Sequence, residues 1–256
     1  MTIRLKSEEE IAILHEGGKR HAEILRLLGK MVKPGISTLD LENEARALVE
    51  AGGDRPAHLG YTPRGAHRPF PAVLCISINE EIVHGIPNEH PKILKEGDLV
   101  SIDLSLVHKG LYTDSAITVP VSKADEEGKM LIQVALEALR VGIDSARPGN
   151  TVGDIGYAIS SVVRQSPFSL AKDLVGHGVG YAIHEDPYVP NEGSKGEGER
   201  LVPGMVIAIE PMVNAGKPGI KCLKDGYTIV TKDGKRSVHF EHTVAITEKG
   251  NIILTL

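Results

Sequence analysis

Two cysteines in 256 residues, Cys75 and Cys222, are too few and too isolated for a disulfide framework or a zinc ribbon. They suit a reducing cytoplasm. No apolar stretch approaches the roughly 18 residues that suggest a membrane span. The start, MTIRLKSEEE, lacks the apolar core of a signal peptide, so a cytoplasmic protein with no membrane partner is expected. Basic runs are absent as well, and the formal net charge is −5, which argues against a direct nucleic-acid role. What remains is 41% apolar and 25% charged, an ordinary globular composition with length enough for a substantial core.

Ser7 and Glu10 form a capping-box pattern ahead of a long amphipathic helix. A second helix is predicted from Thr38 to Val49, and residues 52–71 read as an irregular Gly/Pro/Arg-rich loop. Strand-like stretches follow at AVLCISIN, DLVSIDLSLV and LYTDSAITV. Helices return at about 124–145 and 151–165, and the last third is strand-rich. The order repeats, and so do residues. Pro34, Gly35, Ser37 and Asp40 match Pro148, Gly149, Thr151 and Asp154 at an offset of 114. Gly97 and Asp103 match Gly204 and Glu210 at an offset of 107. An internal duplication of an ααββ unit is the simplest account. The expectation is one α+β domain over residues 1–256, with two pseudo-symmetric halves and no linker.

Four acids sit inside strand-like runs. In DLVSIDLSLV, alternation puts Val100, Ile102, Leu104 and Leu106 on one face and Ser101, Asp103 and Ser105 on the other. A two-residue turn at His108–Lys109 would set Asp103 directly opposite Asp114. Such a pair either faces solvent or shares a proton or a cation. Glu210 in MVIAIEPMV and Glu241 in SVHFEHTVAIT lie in runs apolar enough to be buried on both faces. Buried carboxylates need partners, and basic residues are scarce in these runs. A metal cluster would supply the charge for all four. With His177 the set becomes two Asp, two Glu and one His, which suits Mn, Co, Fe or Zn. Five ligands exceed what one hydrolytic ion needs, so a dinuclear centre fits better.

GHGVGYAIHEDP poses a separate question. Gly176, Gly178 and Gly180 oppose a helix, and on an ideal strand His177 and His184 would face opposite ways. The two rings therefore share one job or have two.

Taken together, CISINEEIVHGIP, SIDLSLVHKGLYTDSA, GHGVGYAIHEDP, GMVIAIEPMV and FEHTVAIT strongly resemble the type I methionine aminopeptidases through nearly the whole chain. The resemblance implies the pita-bread fold with two divalent metal ions (Co, Mn, Fe or Zn) at its centre. By motif, Asp103, Asp114, His177, Glu210 and Glu241 would be the ligands, with Asp114 and Glu241 bridging. His84 and His184 would contact substrate, and Glu210 would also shuttle the proton. On this reading the glycines turn the chain out of a regular strand so that His177 reaches a metal, and His184 sits across the cleft. Tyr61, Phe70 and Cys75 are expected to line the methionine pocket. The implied activity is removal of initiator methionine from nascent polypeptides whose second residue is small, by metal-activated water. The implied protein is a monomer, with the ribosome a candidate partner. Its own Met1–Thr2 start would be a borderline substrate.

Several residues depart from the commonest pattern of that family. Thr113 stands where glycine is frequent, Tyr227 where tryptophan often appears, and Val83 where some relatives have cysteine. The Tyr61–Phe70 loop looks long and carries Arg64, His67 and Arg68, which could reshape the pocket rim. Three rivals remain. Proline-specific peptidases share the fold but usually carry a further N-terminal domain and an Asp after the last Glu, where this chain has His242. Type II methionine aminopeptidases carry a long insertion where only residues 186–203 stand here. A non-catalytic pita-bread binding module typically loses ligands, and all five are present.

Overall fold

The computed structural model describes residues 3–63 and 65–256. The expectations for Arg64 and for the Met1–Thr2 start lie outside the described residues. Two helices open the chain, α1 (Glu8–Met31) and α2 (Thr38–Ala51). Five strands follow: β1 (Arg55–Pro56), β2 (Leu74–Ile78), β3 (Glu81–Val83), β4 (Leu99–His108) and β5 (Leu111–Pro120). After α3 (Glu126–Ser145) and α4 (Val152–Val163) come β6 (Ser169–Leu170), β7 (Val175–Gly178), β8 (Glu185–Pro190), β9 (Val206–Ile209) and β10 (Met212–Asn214). The chain ends with β11 (Ile220–Cys222), β12 (Ile229–Thr231), β13 (Ser237–His239), β14 (His242–Thr247) and β15 (Gly250–Ile253).

Each half is a sheet backed by two helices. In the first, β4 is flanked by β1, β2 and β5, and its Val100, Ile102, Leu104 and Leu106 pack with Ile24 and Leu28 of α1 and Leu41 and Ala45 of α2. In the second, the order is β15-β14-β9-β7-β8, and Ile207, Ile209, Val244 and Ile246 pack with Leu131 and Leu139 of α3 and Ile155 and Ile159 of α4. The first sheet is not half-exposed: every residue of β4 is buried, Ser101, Asp103 and Ser105 included. Alternation therefore separates a helix-facing side from a side facing the second half of the chain.

The repeat read from the sequence is a repeat of backbone geometry. Ser37 and Thr151 N-cap α2 and α4, each in a capping box closed by Asp40 or Asp154 at the third helical position. Gly35 and Gly149 both take positive φ, 89° and 92°. Their amides bond Leu94 O and Leu201 O at 3.0 and 2.9 Å. Isolated bridges Ser37–Ile93 and Thr151–Arg200 complete the match. The halves are stitched at the centre, where Glu241 N donates to Ala116 O at 3.0 Å and Thr243 Oγ1 donates to Asp114 O at 2.7 Å.

Two local expectations change. The hairpin between β4 and β5 turns at Lys109–Gly110, with His108 paired to Leu111. Lys109 and Gly110 have φ of 48° and 86°, the two positive values a type I′ turn requires. The register consequently pairs Asp103 with Ala116 and Ser105 with Asp114, so the two aspartates are diagonal neighbours on one face. Residues 52–71 are also less irregular than expected, because β1 pairs Arg55 and Pro56 with Val107 and Leu106.

Candidate metal centre

Five side chains converge where the two halves meet. Asp103 and Asp114 come from the β4–β5 hairpin, His177 from β7, Glu210 from just beyond β9, and Glu241 from between β13 and β14. All five line one cavity of about 110 Å³. His177 Nε2 stands 3.7 Å from Asp114 Oδ2 and 3.4 Å from Glu210 Oε1. Single donor atoms of Asp114, His177 and Glu241 lie within 4.8 Å of one another.

The glycines around His177 work differently from the expectation. His177 stays on β7, paired with Tyr188, and the register shifts at His177/Gly178. A Cβ on Gly176 would meet Ala208 O at 2.3 Å, and one on Gly178 would meet Asp186 O at 2.2 Å. These two glycines are needed for strand packing, and only Gly180, at φ 135°, takes the positive φ that glycine favours. The ring itself is oriented by a bond between His177 Nδ1 and Gly178 O at 3.0 Å. Since a carbonyl only accepts, Nδ1 carries the proton, and Nε2 offers its lone pair to the acids. A metal-binding imidazole is held in this way.

Electrostatics decide what such a cluster needs. Burial together with the other carboxylates raises Asp103 and Glu241 well above the usual carboxylate range. Burial foremost pushes Asp114 up to about 8, and burial pushes Glu210 up to about 8. Among the described residues, only histidines form ion-pair contacts with these four acids. Those three, His58, His177 and His239, are pushed down to about 3 by burial and so are neutral at physiological pH. Asp103 Oδ1, Glu241 Oε1 and His239 Nε2 have no hydrogen-bond partner among the described residues. An uncompensated buried charge costs several kcal/mol. Oxygen-rich donors with one imidazole fit hard-to-borderline divalent cations, and the lone pairs left over are the ones a cation would take.

The substrate side is built from loops. His84 follows β3 at φ 60° and lines the cavity. His184 lies at its mouth and does not stand across the cleft from His177. Their rings meet edge-on, with centroids 4.4 Å apart. His184 Nδ1 bonds Tyr61 Oη at 2.8 Å. Phe70 and Cys75 form a buried apolar wall, joined by Tyr227, whose ring meets Phe70 edge-on at 5.1 Å. The Tyr61–Phe70 loop is closed at its base, since Phe70 N donates to Tyr61 O at 2.8 Å and Gly60 N to Phe70 O at 2.9 Å. Arg68 is tied down by Glu89 at 2.8 Å, while His67 is exposed.

Two cavity histidines were missed in the sequence. His239 Nε2 lies 3.5 Å from Glu210 and 3.8 Å from Glu241. Strand alternation could have found it, because it precedes Glu241 by two positions. His58 sits in the loop before β2, where no periodicity points to it.

The sequence profile of metallopeptidase family M24 matches residues 12–248, and the chain belongs to that family. As a member it is a peptidase that uses divalent metal. Within the family, the chain is similar over its whole length to methionine aminopeptidases. It is 46% identical to the methionine aminopeptidase of Aquifex aeolicus, covering 100% of this chain and 99% of the relative. The crystal structure of the methionine aminopeptidase from Thermotoga maritima superposes with a TM-score of 0.94 at 42% identity, covering 99% of each chain. The prolidase from Pyrococcus horikoshii shares the pita-bread fold at a TM-score of 0.74 and 24% identity, and this chain covers 63% of it.

Proposed function

We propose that this chain removes methionine from the N terminus of polypeptides whose second residue is small. The observation that carries the reading is one cavity with two walls. Four carboxylates and His177 make one part of its lining, and Phe70, Cys75 and Tyr227 make an apolar part beside it. Full-length similarity to methionine aminopeptidases supports it, whereas similarity to a prolidase extends only to the fold.

Asp103, Asp114, His177, Glu210 and Glu241 would hold two divalent ions of Mn, Co, Fe or Zn. Such ions supply Lewis acidity and bring the pKa of a water towards neutrality. The chain's own groups do the rest. Glu210, beside His177 at the cavity, would take a proton from the water and return it to the leaving amine. His184, held by Tyr61, and His84 on its left-handed backbone would orient the scissile amide and stabilise charge on its oxygen. Phe70, Cys75 and Tyr227 offer a polarisable apolar lining for an unbranched thioether. Tyr61 contributes through its grip on His184 more than through that wall.

The natural substrates in this reading are nascent-chain N termini in the cytoplasm, met by a monomer near the ribosome. No described helix is long and apolar enough to cross a membrane. A Met-Xaa peptide panel tests the reading under each metal in turn. Release is expected to be fast before Gly, Ala, Ser or Cys, slower before Thr or Val, and slight before Leu, Lys or Glu. Bulk at the second position would push the carbonyl out of line, and about 1 Å of misplacement can cost 10²-fold. Comparable rates on Met-Ala and Met-Lys, or preference for Leu-Ala over Met-Ala, would overturn it.

A further inference from the structure

We propose an adjoining site for a soft metal ion, made by His58 and Cys75 with Asp103 shared from the centre, in the apolar part of the cavity. One ring nitrogen of His58, the Cys75 sulfur and one Asp103 oxygen all lie within 4.8 Å of one another, and all three residues are buried. This donor set differs from the one at the centre. It contains the only buried sulfur of the chain's two cysteines.

The fold brings the three together by register. Cys75 and Asp103 are direct partners across β2 and β4, so their side chains rise on the same face. Ala57 N donates to Ser105 O at 2.9 Å, which anchors the loop over β4 and places His58 above the pair. His58 Nε2 lies 2.9 Å from Ser105 Oγ, and that hydroxyl donates its single proton to Asp114 Oδ1 at 2.7 Å. The hydroxyl therefore accepts from His58 Nε2–H. The lone pair of Nδ1 is left facing the Cys75 sulfur, 3.9 Å away. A ligating imidazole is commonly prepared in this way, with its far nitrogen donating to a fixed acceptor. Asp103 Oδ1, buried and without a hydrogen-bond partner, lies 4.0 Å from His58 Nε2, so this carboxylate faces both the centre and the His58–Cys75 pair. Thiolate, imidazole and carboxylate with one open position suit Zn²⁺ or Cd²⁺ and disfavour Mn²⁺. Binding breaks the Cys75 S–H bond, forms a sulfur–metal bond and releases the proton to solvent.

The consequence is inhibition. An ion here fills the wall formed by Phe70, Cys75 and Tyr227 and draws Asp103 away from the centre. This consequence rests on the proposed methionine pocket, whereas the site itself does not. The test is cadmium titration of the full chain carrying Cys222→Ser and preloaded with Mn²⁺, which has no comparable thiolate band. The ultraviolet thiolate-to-cadmium band is expected to saturate at one sulfur-bound ion per chain, with one proton released. It is expected to vanish when Cys75→Ser is added, and to need at least about tenfold more cadmium in His58→Ala. Thermal midpoint and manganese content of each variant report whether the fold and the centre survive, and Cys75→Ala repeats the test with a second side chain. Absence of a saturable band, its persistence without Cys75, or unchanged affinity in a folded His58→Ala protein would overturn the site. A full band with undiminished release of methionine from Met-Ala peptides would overturn the inhibitory role alone.

Discussion

In the first half of the chain, Gly35 N bonds Leu94 O and Ser37 caps α2; in the second, Gly149 N bonds Leu201 O and Thr151 caps α4. The equivalent strands, however, carry different cargo. The first half gives two aspartates on a tight hairpin and, through Phe70 and Cys75, most of the apolar wall. The second gives His177, Glu210 and Glu241, with His184 beside them. Backbone hydrogen bonds and caps were kept because both halves must close the same helix-to-sheet junction. Side chains facing the shared interior were free to diverge, because each is seen from only one side of the axis. One half became mainly a pocket and the other mainly a supplier of ligands and histidines.

The sharpest break in this comparison comes from removing a charge the halves share. Asp114→Asn and Glu241→Gln are each expected to reduce turnover of a Met-Ala peptide to background, through loss of bound metal. Substantial turnover with unchanged metal affinity in either variant would mean that the interior does not work as one cluster. Next in size is the separation of roles within the second half. His184→Ala is expected to keep its metal and lose on the order of 10²-fold in kcat, as when an oxyanion-type donor is removed. His177→Ala is expected to lose metal affinity. Identical behaviour of the two variants would erase the distinction drawn from His177's bond to Gly178 O and His184's bond to Tyr61.

The same contrast explains what was legible in the sequence. Asp103, Asp114, Glu210 and Glu241 stood out because an acid in a β-branched run breaks a strong pattern, and all four occupy the centre. The helices and the repeat were legible through capping boxes and PG turns. The hairpin register was misread because Lys109 does not advertise a positive φ as Asn or Gly does. His58 was invisible because loop contacts depend on long-range geometry and leave no period. His184 lies in the loop between β7 and β8, where its contact with the His177 ring likewise leaves no period.

A moderate effect is expected from pH in the metal-free protein. Asp114 and Glu210 have folded values near 8, against unfolded values of 3.8 and 4.5. Their contribution to stability is present below the unfolded values and is lost as pH rises through about 8. The buried histidines, pushed down to about 3 from 6.5, act in the opposite sense and lower stability as pH falls below 6.5. Between about pH 6.5 and 8 only the carboxylates act, so the metal-free Tm should fall across that window while the metal-loaded Tm holds steady. Calorimetry showing parallel curves would contradict the charge argument. The smallest effect belongs to the scaffold. Ser37→Ala and Thr151→Ala should each cost about 1 kcal/mol in denaturant melts and leave kcat unchanged. A large difference between the two would show that the halves no longer share a frame.

Joint binding of the divalent ions by residues from both halves can be counted by native mass spectrometry of manganese-loaded protein. Two ions are expected per wild-type chain, two in Ser37→Ala, and loss of bound ion in Asp114→Asn and Glu241→Gln alike. Two ions retained in either of the last two, or a wild-type chain that binds none, would contradict it.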